Sequence, residues 1–283
     1  MTTIKIAGVP EHFNLPWHLA IKEQAFEKQN IDLQWTDVPE GTGKMCQMLR
    51  SGQTDIAVIL TEGIVKDISA GNPSKIIQMY VESPLIWGIH VGANSNYKTV
   101  NDLKNKKVAI SRIGSDSQLM TYVNADNQGW KIDELQFEIV NTIDGVVEAL
   151  TNGTADYFMW EYFMTKPLVD KGIFRKVADC PTPWPCFVIA VREEVLNNQP
   201  EIIQTLLEII NQTTTTFKNI PSIDNKLAEK YHQKLEDIQE WLALTEWSQK
   251  NIDENSLNNI QKQLFQLKII DKIGTFEEIV KTF

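Results

Sequence analysis

The sequence predicts an α/β fold of mixed, mostly parallel sheets that ends in a helical C-terminus. Three observations predict it. Short apolar strands alternate with helix-length segments through the first two-thirds of the chain. From about Glu193 onward the apolar residues switch to helical spacing. One helix–glycine–strand junction occurs twice.

The elements follow in order. Ile4–Val9 alternates as a strand, and Pro16, pre-organised for a first helical turn, opens a helix reaching about Lys28. Ile31–Thr36 is a strand, Lys44–Arg50 a helix and Asp55–Leu60 a strand. Ile64–Ala70 is helical, and Lys75–Glu82 and Leu85–Val91 are strands. Further strands fall at Lys107–Ile110, Phe137–Val140, Ala155–Trp160 and Phe187–Arg192, with helices at Gln118–Gln128 and Val146–Thr151. Beyond them Glu201–Phe217 carries an apolar stripe through Ile202, Ile203, Leu206, Leu207, Ile209 and Ile210, and helices are expected at Leu227–Leu235, Trp241–Trp247 and Leu257–Leu267.

The repeated junction is Leu-x-x-Gly-x-x-Asp-apolar, at Leu49 to Ile56 and again at Leu150 to Tyr157. In each copy a glycine suited to the left-handed conformation ends a helix, and an aspartate starts a strand. Each strand then delivers a glutamate just past its carboxyl end, Glu62 and Glu161.

Bulk properties exclude several classes. The 283 residues, 42% hydrophobic and 23% charged, can build two compact cores or one large one. A net charge of -10 argues against nucleic acid as a partner, since that needs a basic surface to displace counterions. No stretch is apolar for the ~18 residues of a membrane span, so no membrane insertion is expected. The strand at Thr2 to Val9 follows the initiator methionine directly, and the expected location is cytoplasmic as the sequence stands, or periplasmic if a signal peptide was removed. Cys46, Cys180 and Cys186 make no disulfide framework or metal spacing, though a bridge between the last two stays open, and no cofactor is expected. Gly-x-Ser-x-Gly, His-Glu-x-x-His and Cys-x-x-Cys are all absent.

Four features together resemble the type II periplasmic-binding-protein fold, in the branch that binds nitrate, sulfonates, taurine and the thiamine pyrimidine precursor. They are the first strand running into Pro10-Glu11-His12-Phe13-Asn14-Leu15-Pro16-Trp17, the Leu49…Gly52…Asp55 junction, the run Asp102 to Ala109, and Ser111…Gly114-Ser115-Asp116-Ser117. The resemblance covers nearly the whole chain and is closest to cytosolic, signal-less offshoots. It implies two α/β lobes, residues 1–89 plus 190–283 and an inserted 90–189, joined by two hinge strands near Ile89-Val91 and Val188-Ala190. It also implies a small-molecule ligand in an interlobe cleft, hinge closure, and an ABC-transporter permease as partner if the protein is exported.

In open α/β sheets ligands sit beyond the carboxyl ends of the strands. Those tips give Glu11, His12, Phe13, Asn14, Trp17, Gly41, Thr42, Gly43, Thr61 and Glu62 in the first lobe. The crossings add Trp87 and Trp184, and the second lobe adds Arg112, Gly114, Ser115, Asp116, Ser117, Trp160 and Glu161. Gly41 and Ser115 each stand before a helix, whose first amides favour acceptor groups, and Ser115…Gln118 fits a capping box. Indole rings beside carboxylates suit a flat, nitrogen-bearing ligand, held by stacking and by hydrogen bonds to N–H groups, with about half of the indoles expected to be core residues. A thiamine-pyrimidine-like molecule is the expected solute, and no residue is assigned to catalysis. The alternatives are a nitrate, sulfonate or taurine binder, or an enzyme of the same fold using Glu62 or His12 in an elimination or in thiamine or menaquinone biosynthesis.

Overall fold

A computed structural model describes residues 1–283. The chain divides into two compact units, Met1–Pro84 with Trp184–Phe283, and Leu85–Pro183.

Unit 1 holds β1 (Thr2–Gly8), β2 (Ile31–Asp37), β3 (Ile56–Leu60), β4 (Ser74–Val81) and, after the excursion through unit 2, β10 (Phe187–Arg192). Their order is β2-β1-β3-β10-β4. β1 runs parallel to β2 and β3, while β10 is antiparallel to both β3 and β4, so β10 alone is reversed. β3 and most of β4 and β10 are buried throughout, as expected for strands covered on both faces. The covering helices are α1 (Leu15–Lys22), α2 (Thr42–Ser51) and α3 (Thr61–Ser69), and then the C-terminal series.

Unit 2 repeats the plan. β5 (Ile86–Gly92), β6 (Lys107–Ile110), β7 (Gln136–Ile139), β8 (Tyr157–Glu161) and β9 (Phe174–Pro181) lie in the order β7-β6-β8-β5-β9. β6 is parallel to β7 and β8, and β5 is the reversed strand, antiparallel to β8 and β9. Its helices are α4 (Asp116–Asn127), α5 (Ile143–Asn152) and α6 (Tyr162–Asp170).

The sequence echo has one physical job in both units. Gly52 and Gly153 end α2 and α5 with φ of 70° and 76°, where a side chain would be strained. Asp55 then accepts from the Lys5 amide at 2.9 Å, and Asp156 from the Lys107 amide at 2.8 Å. Each aspartate amide donates back to the same lysine's carbonyl, at 2.9 and 2.8 Å. The pair of bonds ties the start of β3 to β1 in unit 1 and the start of β8 to β6 in unit 2.

Several elements differ from the sequence expectation. β9 was not anticipated. It is an edge strand whose middle residues are only half-buried, and Arg175, Lys176, Asp179 and Pro181 mask its pattern. α6 was hidden by Pro167 at its sixth position. α1 stops at Lys22, short of Lys28, because Gln24 takes a positive φ of 57°. The segment expected as one helix over Leu227–Leu235 is split. α9 (Ile223–Tyr231) ends at His232, which is left-handed, and α10 (Leu235–Leu244) begins afresh. Trp247 lies beyond α10, in an isolated antiparallel bridge with Val81. The remaining helices are α7 (Glu193–Asn198), α8 (Pro200–Thr216), α11 (Glu254–Gln266) and α12 (Phe276–Ile279). Cys46, Cys180 and Cys186 are free thiols, all buried.

The chain passes from unit 1 to unit 2 after Pro84 and returns after Pro183. Within unit 1 the Cys186 amide donates to the Ser83 carbonyl at 3.2 Å. Within unit 2 Leu85 and Thr182 exchange two bonds of 3.0 Å, one through the threonine hydroxyl.

Candidate functional site

The carboxyl edge of the unit 1 sheet gathers the turns after β1, β2 and β3 and the start of β10. After β1 the chain turns through a single 3-10 helix, His12–Asn14, held by the Asn14 amide group donating to the Val9 carbonyl at 2.8 Å. Tyr80 donates its hydroxyl to the Phe13 carbonyl at 2.9 Å, and the Trp247 indole reaches the same oxygen at 3.3 Å. The turn is therefore braced by β4 and by the C-terminal region.

His12 is fully buried. Its ring lies 4.1 Å from Trp241, 5.1 Å from Phe13 and 5.7 Å from Tyr231. Loss of solvation alone brings its pKa down to about 3, so the imidazole is neutral. Glu11, half-buried beside it, is pushed up to about 7 by the same cause. Trp17 is also fully buried, with Phe26 at 6.1 Å and Tyr80 at 6.0 Å, and belongs to the core of unit 1.

Gly41 opens α2 at φ 76° and ψ -157°, and no side chain caps this helix. Thr42 is buried against Gly63 in the first turn of α3, where an added Cβ would lie 2.2 Å from the Thr42 Cγ2, so the first turns of α2 and α3 touch. Gly43 and Lys44 follow in α2, half-buried. Thr61 donates both its amide and its hydroxyl to the Cys186 carbonyl, at 3.1 and 3.3 Å, which fastens the start of α3 to β10. Glu62, the second residue of α3, is 1% exposed. Phe13 packs on Phe187 at 5.2 Å, and Trp184 is buried two residues before Cys186.

The carboxyl edge of the unit 2 sheet gathers the turns after β6 and β8. Ser115 caps α4 by accepting from the Gln118 amide at 3.4 Å. The Gln118 side chain does not close the expected capping box; it accepts from the Gly114 amide at 2.7 Å, one residue further out. Ser117 accepts from the Ser111 amide at 3.1 Å and shares a hydrogen bond of 2.9 Å with Ser115. Asp116 is the first residue of α4, and Arg112 and Gly114 are exposed on the preceding turn. Glu161 caps α6, accepting from the Met164 amide at 2.6 Å. Trp87 stands opposite Glu161 across the β5–β8 pair. Trp160, one position earlier and so on the other face, is half-buried against the core of Phe158, Val146 and Ala149.

The structure thus brings Phe13, Gly41, Thr42, Gly43, Thr61 and Glu62 to one edge of unit 1. It brings Ser111 to Ser117, Trp87, Trp160 and Glu161 to one edge of unit 2. Trp35, Tyr231, Trp241 and Trp247, which pack around the first turn of unit 1, were not singled out in the sequence. Trp35 lies so close to Gly8 that a Cβ there would be 2.5 Å from its ring. Tyr231 and Trp241 sit on α9 and α10, more than two hundred residues from His12, where helical periodicity explains them as packing.

Comparison with known proteins adds the following. The model of the Ca3427-like PBP family matches residues 87–180. The solved Candida albicans CA3427 gene product, described as having the generic periplasmic-binding-protein fold, superposes with a TM-score of 0.89 at 24% identity, covering 99% of this chain and 96% of that one. The alkanesulfonate-binding protein SsuA of Xanthomonas axonopodis pv. citri, bound to MOPS, gives 0.83 at 14% identity over 100% of this chain and 99% of its own. A Bacillus subtilis protein, provisionally named for binding aliphatic sulfonates, is 23% identical over 235 residues, 78% of this chain and 70% of its own length.

Proposed function

We propose, from the premise that this chain has the type II periplasmic-binding-protein fold, that it binds a small nitrogen-bearing heteroaromatic solute, resembling the thiamine pyrimidine precursor. Each unit presents its candidate residues at the carboxyl edge of its own sheet, and these are the residues proposed to meet the ligand. The observation that carries the ligand class is the placement of acids. Three of the helices starting at these edges hold a carboxylate of their own in the first turn or cap: Glu62 in α3, Asp116 in α4 and Glu161 before α6. Helix N-termini attract anions through unpaired amides and the dipole, and here that attraction is already met from within the chain. A second, bare anion would meet like charge, whereas ring N–H and amino groups would find acceptors. Of the indoles named at these tips only Trp160 is half-buried rather than buried, and the part of its ring left open is where a flat ligand would lie.

Binding rather than catalysis is the better account. His12, the histidine at the first strand tip, is enclosed by aromatic rings and out of a ligand's reach as a base. An alkylsulfonate remains the second reading, favoured by α2, whose glycine start carries no side-chain cap, and by the sulfonate-binding relatives. If the chain works at a cell envelope, an ABC importer would be its partner; no helix is long and apolar enough to cross a membrane.

Calorimetric titration with aminopyrimidines, primary amines, nitrate and alkylsulfonates tests this. Saturable aminopyrimidine binding, weakened at least about tenfold in both Glu62→Gln and Trp160→Ala, is expected. Saturation by sulfonates alone, unaffected by Trp160→Ala, overturns it.

A further inference from the structure

We propose that unit 1 carries a second binding site, along the groove between α1 and α9, for a small organic anion with an apolar body. The groove encloses about 630 Å³ and is lined on one side by Leu15, His18, Leu19 and Lys22. These fall at the i, i+3, i+4, i+7 spacing of a single helix face, so one stripe of α1 faces the groove. The other side is supplied by Lys226, Glu229 and Lys230 on α9, followed by His232.

Two properties define the ligand. First, the lining is basic in an acidic protein: three lysines face one glutamate, although the whole chain carries a net charge of -10. Lys75, Lys218 and Lys250 of unit 1 form ion pairs elsewhere on the surface. Lys22, Lys226 and Lys230 enter none of these pairs, and Lys230 lies over the Tyr231 ring at 5.7 Å. Proximity across the groove is visible at His18, whose pKa is lowered by burial first and then by Lys230, with Asp37 opposing. Second, Leu15 and Leu19 give the groove an apolar floor below this charged rim, and Leu15 is 5% exposed. An apolar floor with cations at the rim fits an aryl or short alkyl chain ending in carboxylate, sulfonate or phosphate. The size lies in the ~300–1,000 Å³ range of small-molecule sites rather than of a protein footprint.

This site is separate from the acid-bearing strand tips, and the two select opposite charges. Fluorescence titration with 8-anilinonaphthalene-1-sulfonate, an aryl sulfonate, is the test. Saturable binding is expected, weakened at least about tenfold by Lys226→Glu with Lys230→Glu and by raised salt, and unchanged in Glu62→Gln. Lys22→Glu, on the facing helix, is expected to weaken it independently, and covers the case in which the α9 variant fails to fold. Aminopyrimidine binding in the charge-reversed proteins should equal that of the parent, which separates this site from the proposed solute site. Absence of saturable probe binding, equal binding by the charge-reversed proteins, or loss only in Glu62→Gln overturns the proposal.

Discussion

Replacing His12 with phenylalanine should remove a defined part of the protein's sensitivity to acid. The imidazole is fully buried among Trp241, Phe13 and Tyr231, and desolvation lowers its pKa from 6.5 to about 3. In the unfolded chain it titrates near its ordinary value, so below that pH the unfolded state binds a proton that the folded state refuses. The contribution is fully present above 6.5 and is lost as pH falls from there towards about 3. Each pH unit well inside that window is worth about 1.4 kcal/mol, so the loss between about pH 7 and about pH 5 is about 2 kcal/mol. Glu11 runs the other way. Its pKa is raised from 4.5 to about 7, so its stabilising neutral form is lost as pH rises through that interval. A pH curve of the parent alone therefore mixes the two residues. The difference between parent and His12→Phe isolates the histidine, because Glu11 and the buried His90 are common to both. Urea unfolding followed by tryptophan fluorescence at several pH values gives that difference. It should shift by about 2 kcal/mol over the interval, in favour of the variant at low pH. A difference that stays flat would mean that His12 is protonated or solvated in the folded protein, and the aromatic enclosure would be wrong.

Two further outcomes follow from the same structure. Asp156→Ala should destabilise the protein by about 2 kcal/mol, since it strips acceptors from the Lys107 amide and the Tyr97 hydroxyl. The Tyr97 pKa, pushed up to about 12 chiefly by its hydrogen bond to Asp156, should fall towards 10.0 in alkaline spectrophotometric titration. Cys46, Cys180 and Cys186 should resist a thiol reagent in the native protein and react together only in denaturant; burial raises the Cys180 thiol to about 11, which leaves little thiolate.

Most of the architecture was legible because burial leaves local marks. β3 and β10 are apolar runs, and the Gly52 and Gly153 junctions combine a helix stop with a strand start. β9 was not legible, because an edge strand needs no continuous apolar pattern and its charges conceal it. The break between α9 and α10 rests on His232 in the left-handed conformation, which a non-glycine residue does not advertise. At the strand tips, the candidate residues of each unit could be ordered from topology alone. Which tryptophan faces the core could not, because this depends on strand parity and on distant partners. Trp17 is enclosed by Phe26 and Tyr80, whereas Trp160 packs on the Phe158 core and stays half-buried. The aromatic wall around His12 was invisible for the same reason, since α9 and α10 supply it from the far end of the chain.

The two units share strand order, one reversed strand and the aspartate tie, yet their edges are not chemically equivalent. The position after β3 in unit 1 and β8 in unit 2 is where they part. In unit 1 Leu60 precedes α3 with φ -60° and ψ 134°, and Glu62 stands inside the first turn. In unit 2 Glu161 occupies the cap itself, at φ -53° and ψ 130°, and spends an oxygen on the Met164 amide. The glutamates that look like counterparts in the sequence are thus two positions out of step in the structure. A carboxylate at the cap is committed to its own helix, while one in the first turn leaves the cap geometry to the backbone. Unit 1 adds α2, which opens on Gly41 without a side-chain cap, whereas α4 in unit 2 is closed by Ser115 and Gln118. The doubled framework therefore presents one edge with an uncapped helix start beside a first-turn acid and one edge with its helix starts already satisfied.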